Sequence, residues 1–463
     1  MLRVTRRGDV QDVRELSAQE DRAVRRAFGR FPEPDARTAG AAVIRRYQRL
    51  GAGCWVLCDC LGAVSRPPAL VPVSETHIRR HYDPPWPAHD PDCDFHRDAA
   101  EQRAITRSYV RLPAGKALSL LSRLNEDTGA RGPRLTTRSY GRQRGALATL
   151  LMQLIENAGL NRIAATGQVA PVSDQYKVLR AAARGIKIDE GVRLSSFLCT
   201  FLPALPEFMV RLDQTSAAQF TKSGRPHGVL ITVVADASVG SLRPLHGDPV
   251  PVRGEISIFG EREGHSRNSV DERRARSPYL AICVIGRPAA NRPVVMLKAY
   301  LHPCLSAGHL MPVDSNLERQ TFQLLARLRS WLAQKKGIGL AVTKPLFDIS
   351  ARAGRTGVDT DPDEVREPCI PDFLLEADRV PRGGRSSVVV ECMGYADEQY
   401  RERKQRTHAL MSLATGHSPI VEHDFHFPVD QSQSDRDRRF WLSCRWQITG
   451  SNDKNRTHAE TEL

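Results

Sequence analysis

Two carboxylates interrupt short apolar runs, Asp372 within Ile370 to Leu375 and Glu391 within Val388 to Met393. Runs of this length and composition read as strands. The segment between them, Arg379-Val-Pro-Arg-Gly-Gly-Arg385, contains Pro381 and Gly383-Gly384, so the two strands form an antiparallel hairpin. A turn centred between Pro381 and Arg382 sets Asp372 opposite Glu391. Facing Cβ atoms on one sheet face lie about 4.5–5.5 Å apart. Carboxylates that close, flanked by Leu374, Val389 and Met393, resist ionising together unless a cation sits between them. A divalent metal is the natural cation.

Helices are expected on both sides of this hairpin. Upstream, Asp314 or Ser315 caps a helix whose Leu317, Thr321, Leu324, Leu325 and Leu328 form a buried face, with Glu318 at its edge as a third carboxylate. Downstream, residues 397 to about 414 form a helix carrying Tyr400, Lys404, Thr407 and Met411 along one stripe.

This order resembles the PD-(D/E)XK nuclease superfamily, in Glu318 on the first helix, Pro371-Asp372 on the second strand and Glu391-Cys392-Met393 on the third. The resemblance implies a restriction-endonuclease-like, mixed α/β fold. It also implies cleavage of DNA with Mg²⁺ or Mn²⁺ held by Asp372 and Glu391, with Glu318 as a further catalytic carboxylate. Met393 stands where the superfamily usually carries its lysine. By the same resemblance, Lys404 can present the ammonium from the following helix, as some members do. The alternative is a nuclease-fold module that binds DNA or protein without cutting.

A second group could bind a different ion. Cys58-Asp-Cys60 lies in a turn after a strand, and His89-Asp-Pro-Asp-Cys93 follows a Pro-rich loop. Two ligand pairs at the ends of a loop make the layout of a structural zinc site, and zinc favours four tetrahedral Cys or His ligands. Cys58, Cys60, His89 and Cys93 are the expected set, with His77, His81 and His96 competing for the histidine position. Reduced thiols without metal are the alternative. The Cys-x-Cys, the Pro-rich loop and His-Asp-Pro-x-Cys resemble an uncharacterised bacterial family carried on conjugative plasmids and integrative elements. That likeness continues at Leu150 to Asn161, Pro371-Asp372-Phe373 and Met393-Gly394-Tyr395. It implies a mobile-element setting with element-encoded protein partners.

Composition bounds the rest. A chain of 463 residues exceeds one ordinary core. Its 67 basic against 53 acidic side chains give a net charge of +14, which favours a polyanion such as DNA as partner. No apolar run is long enough to span a bilayer and no signal peptide is evident, so a cytoplasmic protein is expected. Phosphate-loop, dinucleotide-binding and serine-hydrolase motifs do not occur, which removes the usual support for those classes.

The expected organisation is an N-terminal segment at 1–40, either mobile or forming one exposed helix near Asp21 to Phe28, then a zinc-binding region at 41–100. A helical spacer follows at 101–215, then a nuclease-like domain at 216–430 and a C-terminal strand and disordered tail at 431–463. Strands near 229–235, 255–259, 279–285 and 294–300 are expected to extend the sheet that carries Asp372 and Glu391, and Glu261 to Arg276 to form an exposed Arg-rich loop. Trp441 and Trp446 point to one last strand.

Overall fold

The computed structural model describes residues 144–259 except 222, 277–349 except 290, 369–394 and 398–450. From the N-terminal third it describes 3–6, 9–29, 36–48, 54–62, 64, 66–74, 77–80, 87, 89–90, 92–96, 109–111, 118, 120–121 and 134–138. The expected Arg-rich loop at 261–276, the polar tail from 451, and His81 lie outside these residues. The chain divides into two compact units, Met1–Ala104 and Ile105–Leu463.

The first unit contains strands β1 (Arg3–Arg6) and β2 (Asp9–Glu15), helices α1 (Ala18–Phe28) and α2 (Arg37–Gln48), and strands β3 (Cys54–Leu57), β4 (Ala69–Ser74) and β5 (His77–Arg80). The strands form one antiparallel sheet in the order β2-β1-β3-β4-β5. Helix α1 starts where the sequence offers a capping box: Ser17 Oγ accepts the Glu20 amide and Glu20 returns a carboxylate to the Ser17 amide. This helix is not the exposed one expected from its charge. Val24 and Ala27 are buried with Leu16, Ile44, Val56, Leu70 and Phe95, because they recur three residues apart on one face.

In the second unit, strand β6 (Arg134–Arg138) precedes helix α3 (Ala146–Asn157), strand β7 (Arg162–Ile163), helix α4 (Val172–Ala182) and short strands β8 (Lys187–Asp189), β9 (Val192–Arg193) and β10 (Leu198–Cys199). Helix α3 buries Leu147, Leu150, Leu151, Leu154 and Ile155, the face its 3/4 spacing foretells, and Gly159 ends the turn at φ +68°. Helix α5 (Leu205–Gln214) leads into β11 (His227–Ser238), β12 (Ser241–Pro244), β13 (Val250–Pro251), β14 (Glu255–Phe259), β15 (Tyr279–Gly286), β16 (Val295–Ser306) and β17 (His309–Pro312). These build a nine-stranded mixed sheet, β13-β12-β11-β15-β16-β14-β6, with β10 beside β11 and β17 beside β16.

That sheet does not extend the one carrying Asp372 and Glu391. Its long central strands β11 and β15 are buried along nearly their whole length, and apolar clusters cover both faces. The flanks of β11 and β16 are already taken by β10, β12, β14 and β17. Among the described residues no central edge of this sheet is left for further strands.

The last body starts with helix α6 (Asn316–Lys336), capped by Ser315 Oγ at the Glu318 amide and closed by Gly337 in the left-handed region. Strands β18 (Leu340–Thr343), β19 (Phe373–Ala377) and β20 (Ser387–Met393), helix α7 (Glu398–Ala414), strand β21 (Ile420–Asp424) and helix α8 (Gln433–Thr449) follow. The sheet order is β21-β20-β19-β18-β7, with β21 parallel to β20 and the other pairs antiparallel. Helices α6 and α8 cover one face through Leu325, Leu328, Trp441 and Cys444, while α7 covers the other through Met411 against Val389.

The expected C-terminal strand is helix α8. Phe440, Trp441, Cys444 and Ile448 are buried at helical spacing, whereas Trp446 is largely exposed. The two tryptophans, five residues apart, therefore do not share a strand face.

Candidate functional site in the C-terminal domain and a candidate zinc centre

The β19–β20 hairpin pairs Phe373 with Val390 and Leu374 with Val389, which sets Asp372 across from Glu391 at the mouth of the ladder. Each carboxylate is fixed by the opposite strand's backbone. Asp372 Oδ2 accepts the Cys392 amide at 2.7 Å, and Glu391 Oε1 accepts the Asp372 amide at 3.1 Å. Glu391 Oε2 is left to pair with the Lys404 ammonium, which also lies 3.6 Å from Asp372 Oδ2. Helix α7 thus delivers a cation to the place where the two carboxylates converge. Met393, in the position where the resemblance leads one to look for lysine, is buried.

Glu318 lies behind this pair. Its Oε2 accepts Lys344 Nζ at 2.7 Å and the Asp314 amide at 3.0 Å. Lys344, immediately after β18, is 2% exposed and also donates to Asp314 Oδ2 at 2.9 Å. His302 Nε2 of β16 lies 3.2 Å from Asp314 Oδ1, and Tyr300 contacts His302 Nδ1 at 2.9 Å. The nine-stranded sheet and the last body are therefore joined through a polar chain that runs from Tyr300 and His302 through Asp314 and Lys344 to Glu318.

Burial governs the electrostatics. It pushes Glu391 up to about 7, Asp372 adding to the effect and Lys404 opposing it. Burial likewise raises Glu318 well above the usual carboxylate range, against the pull of Lys344 and with repulsion from Asp314 and Asp372. Lys344 is desolvated, yet the surrounding Asp314, Glu318 and Asp372 charges hold it protonated. Lys404 and Lys344 oppose the desolvation that pushes Glu391 and Glu318 toward their neutral forms, and a cation arriving at these carboxylates would favour ionisation further.

Sequence reasoning passed over Lys344, Asp314 as an ionic partner, Glu422 and His408. Lys344 had a signal: it is a lone lysine in the apolar stretch Leu340-Ala-Val-Thr-Lys-Pro-Leu-Phe347. His408 had one too, four residues beyond Lys404 and hence on the same helical stripe.

In the first unit, Cys58, Cys60, His89 and Cys93 place one ligand atom each within 4.8 Å of one another. The separations are 3.5 Å for Cys58 Sγ to Cys93 Sγ, 3.6 Å for Cys60 Sγ to His89 Nδ1 and 3.5 Å for Cys93 Sγ to His89 Nδ1. Tetrahedral zinc, with bonds of about 2.3 Å to sulfur and 2.0–2.1 Å to nitrogen, requires ligand–ligand edges of roughly 3.5–3.8 Å. The cluster can therefore hold a metal ion such as zinc. His96 instead turns Nδ1 to the His89 carbonyl at 3.0 Å, and the side chain of His77 lies outside the described residues.

Backbone amides support the sulfurs, Asp90 N–H donating to Cys60 and Phe95 N–H to Cys93. The hydrogen bond from Cys58, then those from His89 and the Phe95 amide, draw the Cys93 thiol down to about 3, while the same Cys58–Cys93 contact and burial push Cys58 up. Arg25 of α1 ties the two ligand loops together, reaching Asp59 at 3.1 Å and Asp94 at 3.3 Å.

Comparison with known proteins agrees with this architecture. Residues 314–447 match the family described as restriction endonuclease-like C-terminal domain, and the chain carries such a domain. Residues 1–99 and 110–304 match two further families, each described as a domain of unknown function. A protein from Escherichia coli described as "Uncharacterized protein in cib 5'region" is 37% identical over 162 residues, 35% of this chain and 65% of that protein. The chain thus spans less than two thirds of that relative's length. No solved structure matches the chain. Among the described residues no helix is long and apolar enough to cross a membrane.

Proposed function

We propose that the C-terminal domain is a metal-dependent DNA phosphodiesterase serving DNA processing in a mobile element. The observation that carries this reading is the convergence of Asp372, Glu391 and the Lys404 ammonium on one spot of the β19–β20 hairpin. The donor set fits Mg²⁺ or Mn²⁺, since both carboxylates are hard oxygen ligands already oriented by backbone amides. A divalent ion held by Asp372 and Glu391 would neutralise phosphate charge and acidify a water.

The chain's own residues supply the rest. Lys404 places positive charge where the scissile phosphate gains negative charge, and Glu318 keeps Oε1 as the acceptor not engaged by Lys344. The excess of Arg over acidic side chains supports a polyanionic substrate. In the same reading, Cys58, Cys60, His89 and Cys93 hold a structural Zn²⁺ in the N-terminal unit, and other proteins of the element are partners, whereas residues 101–215 are no spacer, since β6, β7 and β10 are strands of the two sheets of the second unit.

The test is cleavage of plasmid DNA with Mg²⁺ or Mn²⁺. Asp372→Asn and Glu391→Gln should abolish cutting while DNA binding is kept or improved, because each removes a ligand and also a negative charge that repels phosphate. A second reading, a nuclease-fold module that binds DNA or protein without cutting, draws on Met393 and on the Lys404–Glu391 ion pair. Wild-type protein that binds DNA and never cuts it with any of several divalent metals would establish that second reading.

A further inference from the structure

We propose that Phe427, with Val429 beside it, is a wedge that stacks on a base of DNA held at the Asp372–Glu391 pair. The inference rests on the DNA-binding part of the function proposed above.

Both residues lie on the loop of residues 425–432, between β21 and α8. Two observations place this loop beside the carboxylates. The Phe425 amide donates to the carbonyl of Met393, which follows Glu391 by two residues on β20, a separation of about 7 Å along a strand. Arg401, three residues before Lys404 on α7, reaches Asp424 Oδ2 at 2.7 Å, where the loop begins. One face of α7 therefore touches the carboxylate pair through Lys404 and the loop through Arg401, with about 5 Å of helix between them. DNA with a phosphate at Lys404 passes this loop within a few nucleotides.

The backbone is fixed on both sides of Phe427. Asp424 Oδ1 accepts the His426 amide at 2.9 Å and the Phe427 amide at 3.1 Å. His426 Nε2 donates to the Gly394 carbonyl at 2.9 Å, and Arg436 Nε donates to the Pro428 carbonyl at 3.2 Å. On this held backbone Phe427 is 60% exposed and Val429 86%. A ring presented on a fixed loop loses little freedom on binding, so its contact area goes into affinity.

The surroundings select the ligand. A Phe side chain offers about 150–250 Å² of contact, whereas a stable protein interface needs about 800 Å² on each partner. The exposed residues that follow, Asp430, Ser432, Gln433, Ser434 and Asp435, are polar, so the apolar tip stays far below that size along this loop. Asp430 and Asp435 also disfavour a phosphate at this point. The part of a nucleic acid that suits the tip is the face of a base, which stacks on aromatic rings and is parted from its neighbour by apolar wedges.

The experiment is fluorescence anisotropy of the full-length Asp372→Asn protein, chosen to hold DNA uncut, on a short labelled duplex over a range of salt. In this background Phe427→Ala should weaken binding roughly 5–150-fold, the change expected for losing the stack on one base. The slope of log affinity against log salt should not change, because no phosphate contact is lost. Phe427→Tyr should restore binding, and Phe427→Trp should restore it and add an indole emission that DNA quenches. Phe201→Ala removes an equally exposed ring from the segment after β10 and should leave binding unchanged. Binding that Phe427→Ala leaves intact would overturn the wedge while DNA binding itself stands. If that variant instead lowers self-association of the protein, the loop is a contact between copies and the wedge is overturned. A loss with a shallower salt slope, or one that Phe427→Tyr does not restore, would overturn stacking. Wild-type protein that binds no DNA at low salt would overturn the DNA-binding reading itself.

Discussion

The Cys/His cluster of the first unit and the carboxylate cluster of the second handle negative charge in opposite ways. Around Cys58, Cys60, His89 and Cys93 the ligand atoms are drawn to within 4.8 Å of one another, and the Arg25 guanidinium bonds the flanking Asp59 and Asp94. Around Asp372, Glu391 and Glu318 every carboxylate already has an ammonium beside it, Lys404 for the first two and Lys344 for the third. A closed set of soft ligands is made to be completed once by an ion. A set of hard ligands with its own cations can exchange an ion, and can use the ammonium for something else.

The largest expected effect breaks the first site. Purified protein should contain about one zinc per chain, and Cys58→Ser should expose the N-terminal unit to protease while residues beyond about 216 remain folded. The magnitude follows from zinc binding worth about 10–16 kcal/mol in small structural sites, most of it expressed as folding. Elemental analysis that finds no zinc in protein prepared without chelator would make the two sites alike, both merely polar clusters.

A middle-sized effect tests whether Lys344 is a structural counter-ion. It is buried with Glu318, so Lys344→Met leaves Asp314 and Glu318 facing each other with no neighbouring ammonium. Breaking a buried pair from one side costs about 3–5 kcal/mol, which urea denaturation would resolve. Lys344→Met with Glu318→Gln should recover part of the loss, because the charge left unpaired is removed with its partner. If the single variant is as stable as wild type, the ionic chain from Tyr300 and His302 to Glu318 does not hold the two sheets of the second unit together.

What could be read in advance divides along a physical line. The hairpin was legible because a turn centre fixes which residues face each other, and Pro381 with Gly383-Gly384 marks that centre. The four zinc-type ligands were legible because two short spacings, Cys-x-Cys and His-x₃-Cys, each gather two ligands locally. The pairing of Lys344 was not, since its partners Asp314 and Glu318 come from the preceding loop and helix and only tertiary packing brings them within hydrogen-bonding distance. Nor was the separation of the two sheets, which depends on which edges β12, β14 and β17 occupy. Helix α8 departs from the expected strand for a more local reason: Trp441 and Trp446 are strand-favouring residues, whereas the buried repeat at 440, 444 and 448 is helical.

The smallest effect is the most informative about the second site. Lys404 is partly exposed and holds Glu391 from helix α7, so it could be a catalytic ammonium or only a stand-in cation. These roles predict opposite changes in rate and different changes in metal affinity. If Lys404 stabilises charge on the phosphate, Lys404→Ala should slow cleavage by roughly 10²-fold, the scale on which losing one transition-state donor acts, with metal affinity nearly constant. If it only neutralises Glu391 and Asp372, the same variant should bind Mn²⁺ more tightly and cut at least as fast. Lys404→Arg separates the two further. A planar, bulkier guanidinium keeps the charge but cannot reproduce a compact ammonium between two carboxylates. It should therefore leave stability unchanged and recover little of the rate, whereas full recovery would show that charge alone is needed at this position.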